Sequence, residues 1–196
     1  MVDNLRLILP FLKFESEDDF YYLQILQRKK ENPQIGSNSR VIKNYYINSE
    51  EYLINHYDEI KKLCEVFNAS ASIRLNKRSY EKVAFKAMVN IANTMSNREY
   101  EFIKASYDRA CGLGHNDKEK TWILDIDGHY NYQQLEKMEK IINDSEPKGK
   151  KVVVYLPSKS GLHLITKPFD LRTFTSPDRF PEIEIHKDNP TNLYIP

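Results

Sequence analysis

Asp125 and Asp127 flank Ile126 at the end of the apolar run Trp122–Ile126. On a strand, residues i and i+2 project from the same face, so the two carboxylates stand side by side. Such neighbours repel and raise each other's proton affinity. A divalent cation, for which carboxylate oxygens are suitable ligands, relieves that repulsion. Ile123 and Ile126 would bed the strand into a core and hold the acids rigidly. The same pair also suits a strand end turning into the loop at Gly128, with Asp127 serving the turn. Two-metal nucleotidyl transfer asks for a further acid. Pro181–His186 alternates, placing Glu182, Glu184 and His186 on one face and Ile183 and Ile185 on the other. An ordinary acidic edge strand has the same pattern.

Ser158-Lys159-Ser160-Gly161 joins two apolar segments, and His163 follows between Leu162 and Leu164. A glycine-bearing turn with hydroxyls and a lysine offers N–H groups, Oγ donors and one cation to phosphate oxygens. His163 reads either as a phosphate contact or as a satisfied histidine of the core.

These residues need elements to hold them. Leu5–Leu9 reads as a strand ended by Pro10. Ser16-Glu17-Asp18-Asp19 has the composition of a helix start. Phe20, Leu23, Leu26 and Gln27 recur at helical spacing up to Arg28-Lys29-Lys30, where cations suit a helix C-terminus, and Asn32-Pro33 stops it. A polar loop over 34–40 and a strand over Val41–Ile47 follow. Ser49 caps a second helix to Phe67, with Tyr52, Leu53, Tyr57, Ile60 and Leu63 on its buried stripe. Ala71–Asn76 alternates as a strand, Ser79 caps a third helix to Met95, and 98–110 reads as a fourth helix ended by Gly112. Trp122–Asp127 is a strand, Tyr132–Asn143 a helix, and Lys151–Leu156, Leu162–Thr166, Pro181–Ile185 and Asn192–Ile195 are further strands. Hairpin strands mixed with helices predict an α+β fold with largely antiparallel sheets.

Charge sharpens the picture. The 196 residues carry 29 Lys+Arg against 28 Asp+Glu, a net charge of +1, which excludes a histone-like polycation. The distribution is uneven: residues 1–60 sum to −3, residues 61–120 to +5 and residues 121–196 to −1. The middle third is therefore where a polyanion contact is expected, against a solvated helix face with excess lysine. Core packing is the expected fate of most of the 13 tyrosines. Hydrophobic residues make up 40% of the chain, and no run approaches the ~20 apolar residues that cross a bilayer. The first residues lack the basic start and apolar core of a signal peptide. Cys64 and Cys111 are too few for a disulfide scaffold and point to the cytoplasm; Cys111 with His115 is too few for a zinc site.

Taken in order, Trp122–Asp127, Pro157–Ile165 and Glu182–Tyr194 resemble the catalytic core of the archaeo-eukaryotic primase superfamily, the primase–polymerases of replication, repair and mobile elements. Ser72–Met95, a strand carrying Arg74 and Asn76 and then a helix, is similar to that family's N-terminal unit. The resemblance implies one catalytic domain over 1–196: an N-terminal α/β unit, 1–115, and a palm-like unit, 116–196, with an RRM-like sheet. It implies that Asp125 and Asp127 bind two Mg²⁺ or Mn²⁺ ions and that His163 contacts the phosphates of an NTP or dNTP. Ser158, Lys159, Ser160, Gly161 and Lys187 would assist. In the third motif the family has aspartate. This chain has glutamates, Glu182 matching best and Glu184 second.

The function implied is template-directed nucleotide transfer on single-stranded DNA, with unwinding left to a helicase or replication partner on another chain. Under it, Arg74, Lys77, Arg78 and Lys82 would hold template or nucleotide phosphates, and Tyr80 and nearby aromatics would stack on bases. Two alternatives stand beside it: a catalytically inactive nucleic-acid binder of the same fold, and a metal-dependent nuclease using the same acids.

Overall fold

The computed structural model describes residues 1–113, 120–128 and 131–196; His115 lies outside them. After a two-residue strand β1 (Val2–Asp3), the apolar run expected as a strand is a short helix, α1 (Leu5–Ile8), continued by a 3-10 turn at Leu9–Phe11. So short a run has no periodicity to separate the two states. Pro10 lies in the first turn of the 3-10 segment, where its missing N–H leaves no bond unmade.

The larger departure is at Asp19–Arg28, which is not a helix but the ten-residue strand β2. It is central: β3 (Ser39–Ile47) pairs along one edge, and β4 (Ser70–Ile73) and the short β5 (Arg78–Ser79) along the other, all antiparallel. Both faces of β2 are covered. Tyr21, Leu23 and Ile25 enter the main core, while Phe20 and Tyr22 enter a second cluster with Val83, Ala87, Ala110 and Cys111. A strand buried on both faces has no reason to alternate, and its apolar residues then fall at helical spacing by accident.

The helices follow their local signals more closely. The Ser49 hydroxyl accepts the Tyr52 N–H to cap α2 (Glu50–Phe67), which buries Leu53, Tyr57, Ile60 and Cys64 and ends on a left-handed Asn68. The Ser79 hydroxyl accepts the Lys82 N–H to cap α3 (Tyr80–Ser96). The expected helix over 98–110 divides into a 3-10 stretch, Tyr100–Ala105, and α4 (Ser106–Leu113).

The second half runs β6 (Trp122–Asp127), α5 (Tyr132–Asp144), β7 (Val152–Pro157), β8 (Gly161–Thr166), α6 (Leu171–Phe174) and β9 (Glu184–His186). This β–α–β–β–α–β order builds a four-stranded antiparallel sheet, β7-β8-β6-β9, with the first strand between the third and the last. One face, with Leu124, Ile126 and Leu164, packs on Met138, Ile142, Phe174 and Phe180. From the other face, Ile123, Leu156 and Ile165 enter the main core beside Ile73, Leu193 and Tyr194. The last strand, β10 (Thr191–Ile195), leaves this sheet and pairs between β1 and β4 in the first. The protein is thus α+β with two antiparallel sheets. Among the described residues no helix is long and apolar enough to cross a membrane.

Candidate active site

Asp125 and Asp127 lie on β6, the second strand from one edge of the four-stranded sheet, on the face that also carries Ile123. Antiparallel partners in register share a face. Asp125 stands opposite His163 on β8 and opposite Glu184 on β9, so three functional side chains cross the sheet in one row. Ile123 and Ile165 occupy the next row inward and are buried, which anchors both strands beneath the polar row.

Around that row the two sheets leave a cleft of about 220 Å³. Asp125, Asp127, Ser158, Lys159, Ser160 and His163 line one side; Arg28, Lys30, Glu31, Ser70 and Asn192 come from the first sheet and its connections. Six of the predicted site residues therefore meet in one place, although they come from two separated segments.

The turn before β8 is built to a tight tolerance. The Ser158 N–H donates to the Gly161 carbonyl, the Gly161 N–H donates to Ser158 Oγ at 3.0 Å, and the Gly128 N–H donates to the Ser160 carbonyl. A Cβ on Gly161 would lie 2.0 Å from the Ile126 carbonyl oxygen, so only glycine lets the turn approach β6 this closely. The Ser160 hydroxyl then donates to Asp127 Oδ1 at 2.8 Å.

His163 is 13% exposed and held from both ends. Its Nδ1 is 2.8 Å from the hydroxyl of Thr191, a fully buried residue of β10, and its Nε2 lies 3.5 Å from Asp125 Oδ1. Burial pushes the imidazole pKa down; Asp125 pulls the other way, while His186 and Arg28 add to the lowering. Burial prevails, so the ring is neutral at pH 7 and the contact with Asp125 is not an ion pair. The hydroxyl and Nδ1 share one hydrogen; in the tautomer with the ring proton on Nε2, that N–H faces Asp125 and the cleft as a hydrogen-bond donor.

Asp125 and Asp127 each keep an oxygen without a protein donor among the described residues. The pair thus fits one hard divalent ion. No group of three or more His, Cys, Asp or Glu capable of holding a metal occurs among the described residues. Glu184 is the acid in register with Asp125, and its carboxylate sits 3.4 Å from His186 Nε2. Glu182, the better match by motif, is exposed and precedes β9. Lys187 does not line the cleft; its Nζ lies 5.3 Å from the Trp122 ring centroid.

Three of the four cations predicted for the middle third are turned inward onto protein partners. Arg78 is buried: its Nε donates to the Cys111 carbonyl at 2.9 Å, Nη1 to the Asn76 carbonyl, and Nη2 to Asp188 Oδ2 at 2.8 Å. Arg74 donates to the Asp188 carbonyl, and burial lowers its pKa. Lys77 pairs with Glu15 at 2.8 Å and Asp19 at 3.1 Å. Only Lys82 of the four is exposed. These contacts join β2, the β4–β5 turn and the β9–β10 connection, which is a structural role. Conversely, Arg28, Lys30, Thr191 and Asn192 reach the site without having been read as functional. The Arg28-Lys29-Lys30 run was visible, but helix-end cations explained it equally well.

Comparison of the chain with protein-family models, curated proteins and solved structures yields no significant match.

Proposed function

We propose that the chain is a metal-dependent nucleotidyltransferase of the primase–polymerase kind, acting on single-stranded DNA with NTPs or dNTPs in the cytoplasm. One observation carries this reading: the Asp-x-Asp pair and the Ser-x-x-Gly-x-His segment converge on one cleft, with Asp125 and His163 in register. Support comes also from the β–α–β–β–α–β sheet, the topology of an RRM-like palm, which carries the carboxylates on its first strand. Cys64 and Cys111 are buried free thiols whose pKa burial pushes up to about 12, in keeping with a reducing compartment.

Asp125 and Asp127 are the residues that would hold Mg²⁺ or Mn²⁺, with Glu184 the nearest further acid by register. The bound cation would neutralise phosphate charge and make the attacking hydroxyl more acidic. The protein's own part is positioning. Ser160 restrains Asp127, the Gly161 turn sets the distance between β8 and β6, and Thr191 aims His163 Nε2 at the cleft. A neutral His163 donates a hydrogen bond to a phosphate oxygen without adding charge.

Primer-free and primed extension on single-stranded DNA with NTPs or dNTPs plus Mg²⁺ or Mn²⁺ tests the reading. Synthesis is expected in the wild type and only background in Asp125→Asn with Asp127→Asn; synthesis surviving that change sinks the metal assignment. DNA and nucleotide binding with no synthesis would instead favour the inactive relative. Degradation of labelled DNA without nucleotides would favour the nuclease.

A further inference from the structure

The cations at the mouth of the cleft lie where the sequence's charge map does not look. Residues 1–60 are net acidic, yet the end of the β2–β3 hairpin exposes Arg28, Lys29 and Lys30 in succession, with Arg40 on the neighbouring strand opposite Gln27. Arg28 and Lys30 line the cleft that holds Asp125 and Asp127, and Lys159 reaches it from the other sheet. Among the described residues, no carboxylate lies within ion-pair distance of Arg28, Lys29 or Arg40. Glu31 alone serves Lys30 at 3.8 Å and Lys159 at 3.4 Å. The Lys29 N–H donates to the Asn38 carbonyl at 3.0 Å, which closes the hairpin end.

The cleft lining itself balances Arg28, Lys30 and Lys159 against Glu31, Asp125 and Asp127, so the excess positive charge lies on the hairpin end beside it, with Lys29 and Arg40. Exposed cations in succession, without a carboxylate in reach of Arg28, Lys29 or Arg40 among the described residues, suit an extended polyanion that runs along the hairpin end to the cleft. An acidic protein segment would also need an apolar anchor pocket, and the cleft is lined mainly by charged and hydroxyl-bearing side chains.

We infer that the end of the β2–β3 hairpin, through Arg28, Lys29 and Lys30, is the surface that grips the phosphate backbone of a single-stranded nucleic acid and leads it to the cleft. The inference rests on the nucleotidyl-transfer reading for its purpose, but its test is independent of catalysis.

Fluorescence anisotropy of a labelled 20-nucleotide single strand, in EDTA and without nucleotides, is measured across a salt series for wild type and for Arg28→Gln/Lys29→Gln/Lys30→Gln. Single strands release about 0.7 counterion per neutralised phosphate, so the triple variant should lower the slope of log K against log salt by about 2. Affinity should fall at least about tenfold at low salt. Lys82→Gln/Lys86→Gln on α3 should change neither. A melting curve like that of the wild type shows that the triple variant is folded; if it is not, the single variant Lys29→Gln should lower the slope by about 0.7. The inference is overturned if the wild type does not bind, if the slope is unchanged, if the α3 variant loses as much, or if polyglutamate competes as well as DNA. Failure of the catalytic reading shows separately: metal-dependent nucleotide binding would then survive Asp125→Asn/Asp127→Asn, whatever the DNA result.

Discussion

Two clusters of basic residues meet opposite fates. At the β4–β5 turn, Arg74, Lys77 and Arg78 are drawn inward, each beside a carboxylate from elsewhere in the chain: Asp188 for the arginines, Glu15 and Asp19 for the lysine. At the end of the β2–β3 hairpin, Arg28 and Lys29 are exposed with no carboxylate in reach among the described residues. The cluster that lies in the most basic third of the sequence is the one neutralised in the fold. What distinguishes them is long-range: β10 crosses into the first sheet, and the β9–β10 connection brings Asp188 against the β4–β5 turn. No tertiary crossing does the same for the hairpin end. The net charge of a long stretch of sequence is therefore a poor guide to the cations available for a ligand.

The comparison breaks most readily at Arg78. Arg78→Ala strips Asp188 of its buried partner and leaves the Cys111 and Asn76 carbonyls without their donor, so it should cost about 3–5 kcal/mol in chemical denaturation. Asp188→Ala should behave alike, and the double variant should cost less than the sum. A loss of only a few tenths would mean that this cluster is as free as the hairpin. Next comes Gly161→Ala, whose added carbon meets the Ile126 carbonyl at 2.0 Å. It should destabilise by about 1–3 kcal/mol and weaken nucleotide binding, since relief must come from backbone movement at Asp127. Unchanged melting together with unchanged nucleotide binding would show that the turn has slack.

His163 stands between the two regimes, ionisable but buried. Its folded pKa lies below the unfolded value of 6.5, so below that pH the unfolded chain binds the proton more readily. Stability from this group is full above pH 6.5 and falls as the pH drops towards the folded pKa, with a slope of at most about 1.4 kcal/mol per pH unit. Melting measured in EDTA should show that slope, and His163→Gln should flatten it; an unaltered slope would assign the effect elsewhere. The smallest effects belong to the exposed hairpin. Arg28→Gln and Lys29→Gln should each change stability by no more than about 0.5 kcal/mol in denaturation. A larger loss would move those residues into the same class as Arg78.

Much of the helical structure was legible because its signals are local. Ser49 and Ser79 cap their helices as read, since a hydroxyl three residues before a free N–H needs no tertiary help. The Asp125–Asp127 spacing put both acids on one face for an equally local reason, and the Ser158–Gly161 turn was visible between two β-rich runs. β2 was misread because burial on both faces erases alternation. Thr191 was missed because a lone threonine at the start of a strand carries no signal until that strand is laid against His163.

By itself the chain determined its helix caps, the i, i+2 carboxylate face and the turn over Ser158–Gly161, all consequences of backbone geometry within a few residues. Tertiary structure alone decided that Asp125 faces His163 and Glu184, that Arg78 is buried, and that Arg28 and Lys30 stand at the cleft. Those outcomes depend on strand order and on one crossing strand, β10, and pairings between distant segments are set by burial of the whole core rather than by any local pattern.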